Sequence, residues 1–175
     1  STEKKLVTLS EYVDRMKEDQ KFIYFAVGEN ISSIDNLPQT ELLRSKGYEI
    51  LYCTEEIDEF SLQTLMQYKD KKFWSATNDD LGIENDENKE EEKDSSAILT
   101  FVKETLGDRV SEVVASKKLV SHPVCLTAKG GISFEMEKYF NAVQPDSGMK
   151  AQRVLELNMN HSAVKAMENA VQTDI

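Results

Sequence analysis

The sequence predicts an α/β unit followed by an α+β unit: a small βαβ-type parallel sheet flanked by helices, joined by an acidic linker to a mixed helix-and-sheet domain. Three observations predict it. Nearly continuous apolar runs at Lys21-Phe22-Ile23-Tyr24-Phe25-Ala26-Val27 and Tyr48-Glu49-Ile50-Leu51-Tyr52-Cys53 alternate with helical patterns, as strands buried on both faces do. Residues 84–94 then hold seven acids and two lysines in eleven positions, too polar to bury a face. Beyond them, strand and helix signals resume around a Gly130-Gly131 break.

Taken in order, residues 1–80 read α-β-α-β-α-β. Leu9-Ser10-Glu11-Tyr12 opens a helix, with Ser10 as the expected N-cap and Tyr12, Val13 and Met16 on one face. Gly28 ends the first strand. Asn36-Leu37-Pro38 interrupts the chain, and Leu42 and Leu43 form the apolar face of a second helix that Gly47 closes. After the second strand, Thr54 is the expected cap of a third helix with Ile57, Phe60, Leu65 and Met66 at helical spacing. Lys72-Phe73-Trp74-Ser75 is a short third strand. Residues 81–94 are the linker, or an exposed helical extension. From residue 95 the expected elements are a helix to Gly107, strands at 108–115, 118–120 and 124–128, a helix at 132–143, a strand at 152–157 and a helix at 162–171.

Composition bounds what such a chain does. Its 175 residues suit one domain or two small ones, and 39% apolar residues supply a core. A net charge of -11 argues against nucleic-acid binding, which draws its affinity from Lys and Arg, and against an anionic membrane surface. No apolar run approaches the ~18 residues of a membrane span, and no signal peptide is visible. Cys53 and Cys125 lie far apart in apolar runs, which fits buried free thiols in a reducing cytoplasm. The first residue is Ser1, so the expectation is an excised piece of a longer protein.

Chemistry is sparse. The seven glycines include no phosphate-loop pattern, and there is no GxSxG elbow and no HExxH. His122, before Pro123, reads as a turn residue, and His161 as a structural residue at a helix start. A Cys125–His122 nucleophile pair has no orienting third group nearby in sequence. The acidic run has no calcium-loop spacing. No catalytic, cofactor or metal residue is expected. The informative element is the last amphipathic helix before the final strand: Ile132, Met136, Tyr139, Phe140 and Val143 stand at i, i+4, i+7, i+8 and i+11, on one face. That face either packs on the neighbouring sheet or offers a Met-containing, adaptable surface to other proteins.

At these residues the chain resembles the 90-kDa heat-shock protein chaperones, most closely their bacterial members. The resemblance runs its whole length. It is strongest at Leu9-Ser10-Glu11-Tyr12-Val13-Asp14-Arg15-Met16-Lys17, at Glu41-Leu42-Leu43-Arg44-Ser45-Lys46-Gly47-Tyr48-Glu49-Ile50-Leu51 with Ile57-Asp58-Glu59-Phe60 after it, and at Leu106-Gly107-Asp108-Arg109-Val110. It implies that residues 1–80 are the last α/β subdomain of a middle domain, that 81–94 are a linker, and that 95–175 begin a C-terminal dimerisation domain. It further implies that ATP and Mg act in upstream domains absent here, that the piece is no enzyme although its parent is an ATPase, and that the parent is a cytoplasmic homodimer. The piece itself is expected as a monomer or a weak, non-native dimer.

The resemblance also carries partners: client proteins and possible co-chaperones. In the bacterial relatives an acidic residue followed by Trp lines a client surface; here Glu59-Phe60 matches, with Phe in place of Trp. The amphipathic helix matches at Ile132, Met136, Tyr139 and Phe140, where Ile132 and Tyr139 depart from Met and Leu. The competing reading is a small nucleotide- or flavin-binding α/β enzyme. Against it, the turn after the first strand, Gly28-Glu29-Asn30, has one glycine and an acid that would repel phosphate. A passive structural linker that transmits nucleotide-driven rearrangement is a third.

Overall fold

The computed structural model describes residues 1–2, 5–55, 57–78, 80–83 and 96–173. The acidic stretch from residue 84 therefore lies outside the described residues.

The first unit is built on β1 (Ile23–Val27), whose first four residues are all buried. β2 (Ile50–Cys53) and β4 (Lys71–Ser75) flank it in parallel, with Tyr24 opposite both Ile50 and Trp74. A central strand covered on both faces needs apolar side chains in both directions, which is why this segment reads as a continuous run. The helices are α1 (Leu9–Asp14), α2 (Ile31–Asp35), α3 (Glu41–Ser45) and α4 (Asp58–Leu65). Tyr24, Ala26, Ile34, Leu43, Ile50 and Leu81 share one core. Each large side chain so buried contributes roughly 1.5–3 kcal/mol. Tyr12 ties α1 to the sheet: its hydroxyl donates to the Glu49 carbonyl at 2.6 Å and accepts the Tyr24 amide at 3.0 Å.

The second unit is a three-stranded sheet with β7 (Gln152–Leu157) in the middle. β5 (Glu112–Ala115) runs parallel to it and β6 (Val124–Lys129) antiparallel. α5 (Ser96–Leu106) and α7 (Ser162–Thr173) cover one face, with Ile98, Val102, Leu157, Val164 and Val171 packed between. α6 (Phe134–Val143) follows Gly130 and Gly131. Their φ values of 88° and 86° lie in the left-handed region, which an L side chain resists, and they turn the chain off β6.

The parallel sheet and the mixed second sheet match the predicted fold class. Five local expectations are corrected. The cap of α1 is Thr8: its Oγ1 accepts the Glu11 amide, and Glu11 accepts the Thr8 amide at 2.8 Å, a reciprocal box that leaves Ser10 inside the helix. Thr54 does not cap α4, which starts after Ile57, and Asp58 accepts the Glu55 amide instead. α2 is an additional helix, capped by Asn30 and Ser33. β3 (Gln67–Tyr68) is an additional strand, paired antiparallel to β4 through Lys69 and Asp70 at φ 45° and 63°. Residues 118–120 form no strand, because their amides are taken by side chains: Ser116 Oγ accepts those of Lys118 and Leu119, and Glu41 accepts that of Val120.

Candidate functional site

α4 and α6 face each other across the two units. Phe60 on α4 packs against Tyr139 and Phe140 on α6, with ring centroids 5.1 and 6.0 Å apart and tilted or edge-to-face geometry. Such pairs prefer edge-on approach because the ring face is negative and its edge positive. Tyr139 and Phe140 also meet edge-to-face at 6.0 Å. Gln63 on α4 donates to the Met136 sulfur at 3.4 Å. Phe60, Tyr139 and Phe140 are half-buried, while Met136 is buried.

Beside the rings, Glu59 is only 3% exposed. It accepts a hydrogen bond from Ser133 Oγ at 2.6 Å. Ser133 is the N-cap of α6 and accepts the Met136 amide at 3.0 Å, so one hydroxyl serves both elements. Burial raises the Glu59 carboxyl above its ordinary value and the Glu135 charge adds to this, while the Ser133 hydrogen bond works the other way.

Two clefts flank this contact. One, of about 450 Å³, has Phe60, Met136, Tyr139 and Val143 among its apolar residues and Glu29, Glu55, Glu59 and Glu135 among its polar ones. The other, of about 470 Å³, lies toward Met66, Trp74 and Ile132. Five of the six expected client residues thus meet along one seam, and Glu59 lines both clefts. Ile132 is half-buried in the second cleft and precedes the helix, because Ser133 takes the cap.

Sequence reasoning missed a second set of contacts that joins the units. Glu41, at the start of α3, accepts the amides of Val120 and Ser121 at 2.8 and 3.0 Å, and His122 Nδ1 lies 2.6 Å from it. The Ser121 hydroxyl also donates to it. Burial disfavours the Glu41 charge, but the hydrogen bonds from Ser121, Val120 and His122 outweigh burial and hold the carboxyl at about 2. Gln39 donates to the Leu126 carbonyl at 2.6 Å. Lys118, 2% exposed, donates to the Asn78 carbonyl at 2.6 Å and pairs with buried Glu156 at 2.9 Å. Asn78 also bridges to Ala128. An acid at a helix start and a lysine after a strand are common on surfaces, so no local signal marked them.

The cysteines and histidines behave as structural residues. Both thiols are free and buried, and burial pushes each up to about 12, far from a reactive thiolate. His122 pairs with Glu41, and His161 Nδ1 accepts the Ala163 amide at the start of α7. Among the described residues no cluster of three metal-ligating side chains occurs, and no helix is long and apolar enough to cross a membrane.

A family model described as Hsp90 protein matches residues 1–175. The chain is 50% identical over 175 residues to the chaperone protein HtpG of Clostridium perfringens, covering 99% of this chain and 28% of that protein. It is 52% identical over 177 residues to the chaperone protein HtpG of Oceanobacillus iheyensis and 48% identical over 177 residues to that of Halalkalibacterium halodurans, each with the same coverage. The chain therefore spans 28% of the length of these relatives.

Proposed function

The chain belongs to the Hsp90 protein family, and from that premise we propose that it holds client proteins at the α4–α6 seam of a molecular chaperone. The observation that carries this reading is the half-buried aromatic cluster of Phe60, Tyr139 and Phe140, set between two units and flanked by two clefts. A cluster of rings with one side packed and one side wet offers large contact area at low ordering cost, which suits exposed apolar segments of incompletely folded proteins. Met136, with its flexible thioether, adds adaptability beneath the rings.

In this reading residues 1–80 are the end of a middle domain, 81–94 a linker whose first residue, Leu81, still packs in the first unit's core, and 95–175 the start of a C-terminal dimerisation domain. ATP and Mg chemistry belongs to other parts of the whole chaperone, and the direct contacts between units pass its conformational changes to the seam. The working form is a cytoplasmic homodimer that meets clients and co-chaperones.

The test is titration of a permanently unfolded, carboxymethylated protein into the chain and its Met136→Ser/Phe140→Ser variant. Weakened binding with an unchanged far-ultraviolet circular dichroism spectrum supports the reading. Equal affinity in a folded variant contradicts it.

A further inference from the structure

We propose that the cleft between α4 and α6 selects segments in which an apolar side chain stands next to a lysine or arginine, and that Lys138 is the resident cation such a segment displaces. This inference rests on the client-holding reading and adds the chemistry of the occupant.

The charge around the cleft is one-sided. Among the described residues its lining holds four carboxylates, Glu29, Glu55, Glu59 and Glu135, and a single cation, Lys138. The floor between them is apolar, from Phe60, Met136, Tyr139 and Val143. An apolar floor with an acidic rim is complementary to an apolar group flanked by cations, and it repels one flanked by acids. The net charge of -11 extends this preference beyond contact distance by drawing cationic segments toward the surface.

Glu59 is the second observation. It is 3% exposed, lines the cleft, and has Ser133 as its one hydrogen-bonding partner among the described residues, through Oε2. Among the described residues the buried side-chain oxygen without a partner is Gln39 Oε1, so Glu59 Oε1 keeps access to solvent and is an acceptor open to an incoming guanidinium or ammonium.

Lys138 shows how the chain itself balances this charge. Its ammonium lies 2.9 Å from Glu135 on its own helix and 3.5 Å from Glu29 on the other unit. The Glu135 hydrogen bond raises its pKa, so it stays charged at neutral pH. Yet its side chain is 60% exposed, and an exposed pair of this kind contributes little to stability, so an incoming cation replaces it at small cost. Lys138 therefore sets selectivity by competing for the same carboxylates.

Fluorescence anisotropy with three labelled peptides tests this on the intact chain. The peptides share Phe and Leu positions and differ only in flanking residues: Lys and Arg, Gln, or Glu. The cationic peptide is expected to bind roughly tenfold tighter than the acidic one at low salt, with the neutral one between, and the gap closes as salt rises past roughly 0.5 M. Lys138→Met tightens the cationic peptide severalfold and Glu135→Gln weakens it, while Phe60→Ser weakens all three alike. Equal affinity for the three peptides, or Lys138→Met weakening the cationic one, overturns this inference and leaves the client-holding reading standing. Failure of every peptide to bind the unaltered chain overturns both.

Discussion

The Ser133 hydroxyl donates to the Glu59 carboxylate at 2.6 Å while it accepts the Met136 amide at 3.0 Å. One side chain thereby caps α6 and bonds one oxygen of a buried acid on α4, adding a polar tie to the Phe60–Tyr139, Phe60–Phe140 and Gln63–Met136 contacts between the same helices. Ser133→Ala removes the cap and strands the carboxylate at once. It is expected to destabilise the chain by ~1–3 kcal/mol, read as a lower urea midpoint.

Glu59 itself gives a pH signature. Its carboxyl is held above its ordinary value of 4.5, chiefly by burial, so the neutral form fits the native state better. The stability it contributes is full below the unfolded value and is lost as pH rises through the higher folded value. Glu59→Gln is neutral at every pH and keeps an acceptor for Ser133. It is expected to raise the urea midpoint at pH 7, with the advantage shrinking as pH falls through the raised folded value and gone below the ordinary 4.5.

Glu41 works in the opposite direction. Its carboxyl is held at about 2 against an ordinary 4.5, so its stabilisation is present above the unfolded value and is lost as pH falls from 4.5 toward 2. The side chain is 16% exposed, and after solvent screening its contribution is about 1–2 kcal/mol. Amide exchange reads it locally: Val120 and Ser121 donate to this carboxylate. Glu41→Ala is expected to speed exchange at those two amides while leaving the β1 amides protected.

The Lys118–Glu156 pair is the buried ionic part of the joint. Glu156 is 3% exposed and also accepts from Ser116 and Thr127. Lys118→Met leaves that charge without its cation and is expected to cost about 3–5 kcal/mol in urea unfolding. Adding Glu156→Gln to it recovers much of the loss, because no buried charge then remains.

How far the sequence reached can be traced through these residues. β1 was legible because burial on both faces leaves an apolar run, and α6 because one face repeats at helical spacing. β3 was hidden: two residues carry no period, and the turn through Lys69 and Asp70 lacks the glycine that usually marks left-handed φ. Asp70→Gly is accordingly expected to raise stability by ~0.5–1 kcal/mol in thermal unfolding. At the seam, Glu59, Phe60, Met136, Tyr139 and Phe140 were nominated through family resemblance, as two patches on either side of a charged hinge. Their meeting in one place was not legible, since it depends on contacts 73 and more residues apart in sequence, such as Gln63 to Met136. Glu41 and Lys118 gave no sign for the same reason: what matters in them is the backbone they reach on the other unit.

Photocrosslinking from position 139 tests the central claim most directly. With Tyr139 replaced by benzoylphenylalanine, light should attach an added unfolded protein to the seam, and an excess of unlabelled unfolded protein should suppress the product. The same probe in place of exposed Glu104 on α5 is expected to give little. Equal crosslinking from positions 104 and 139, or none from 139 while the unfolded protein still binds, would contradict client holding at the α4–α6 seam.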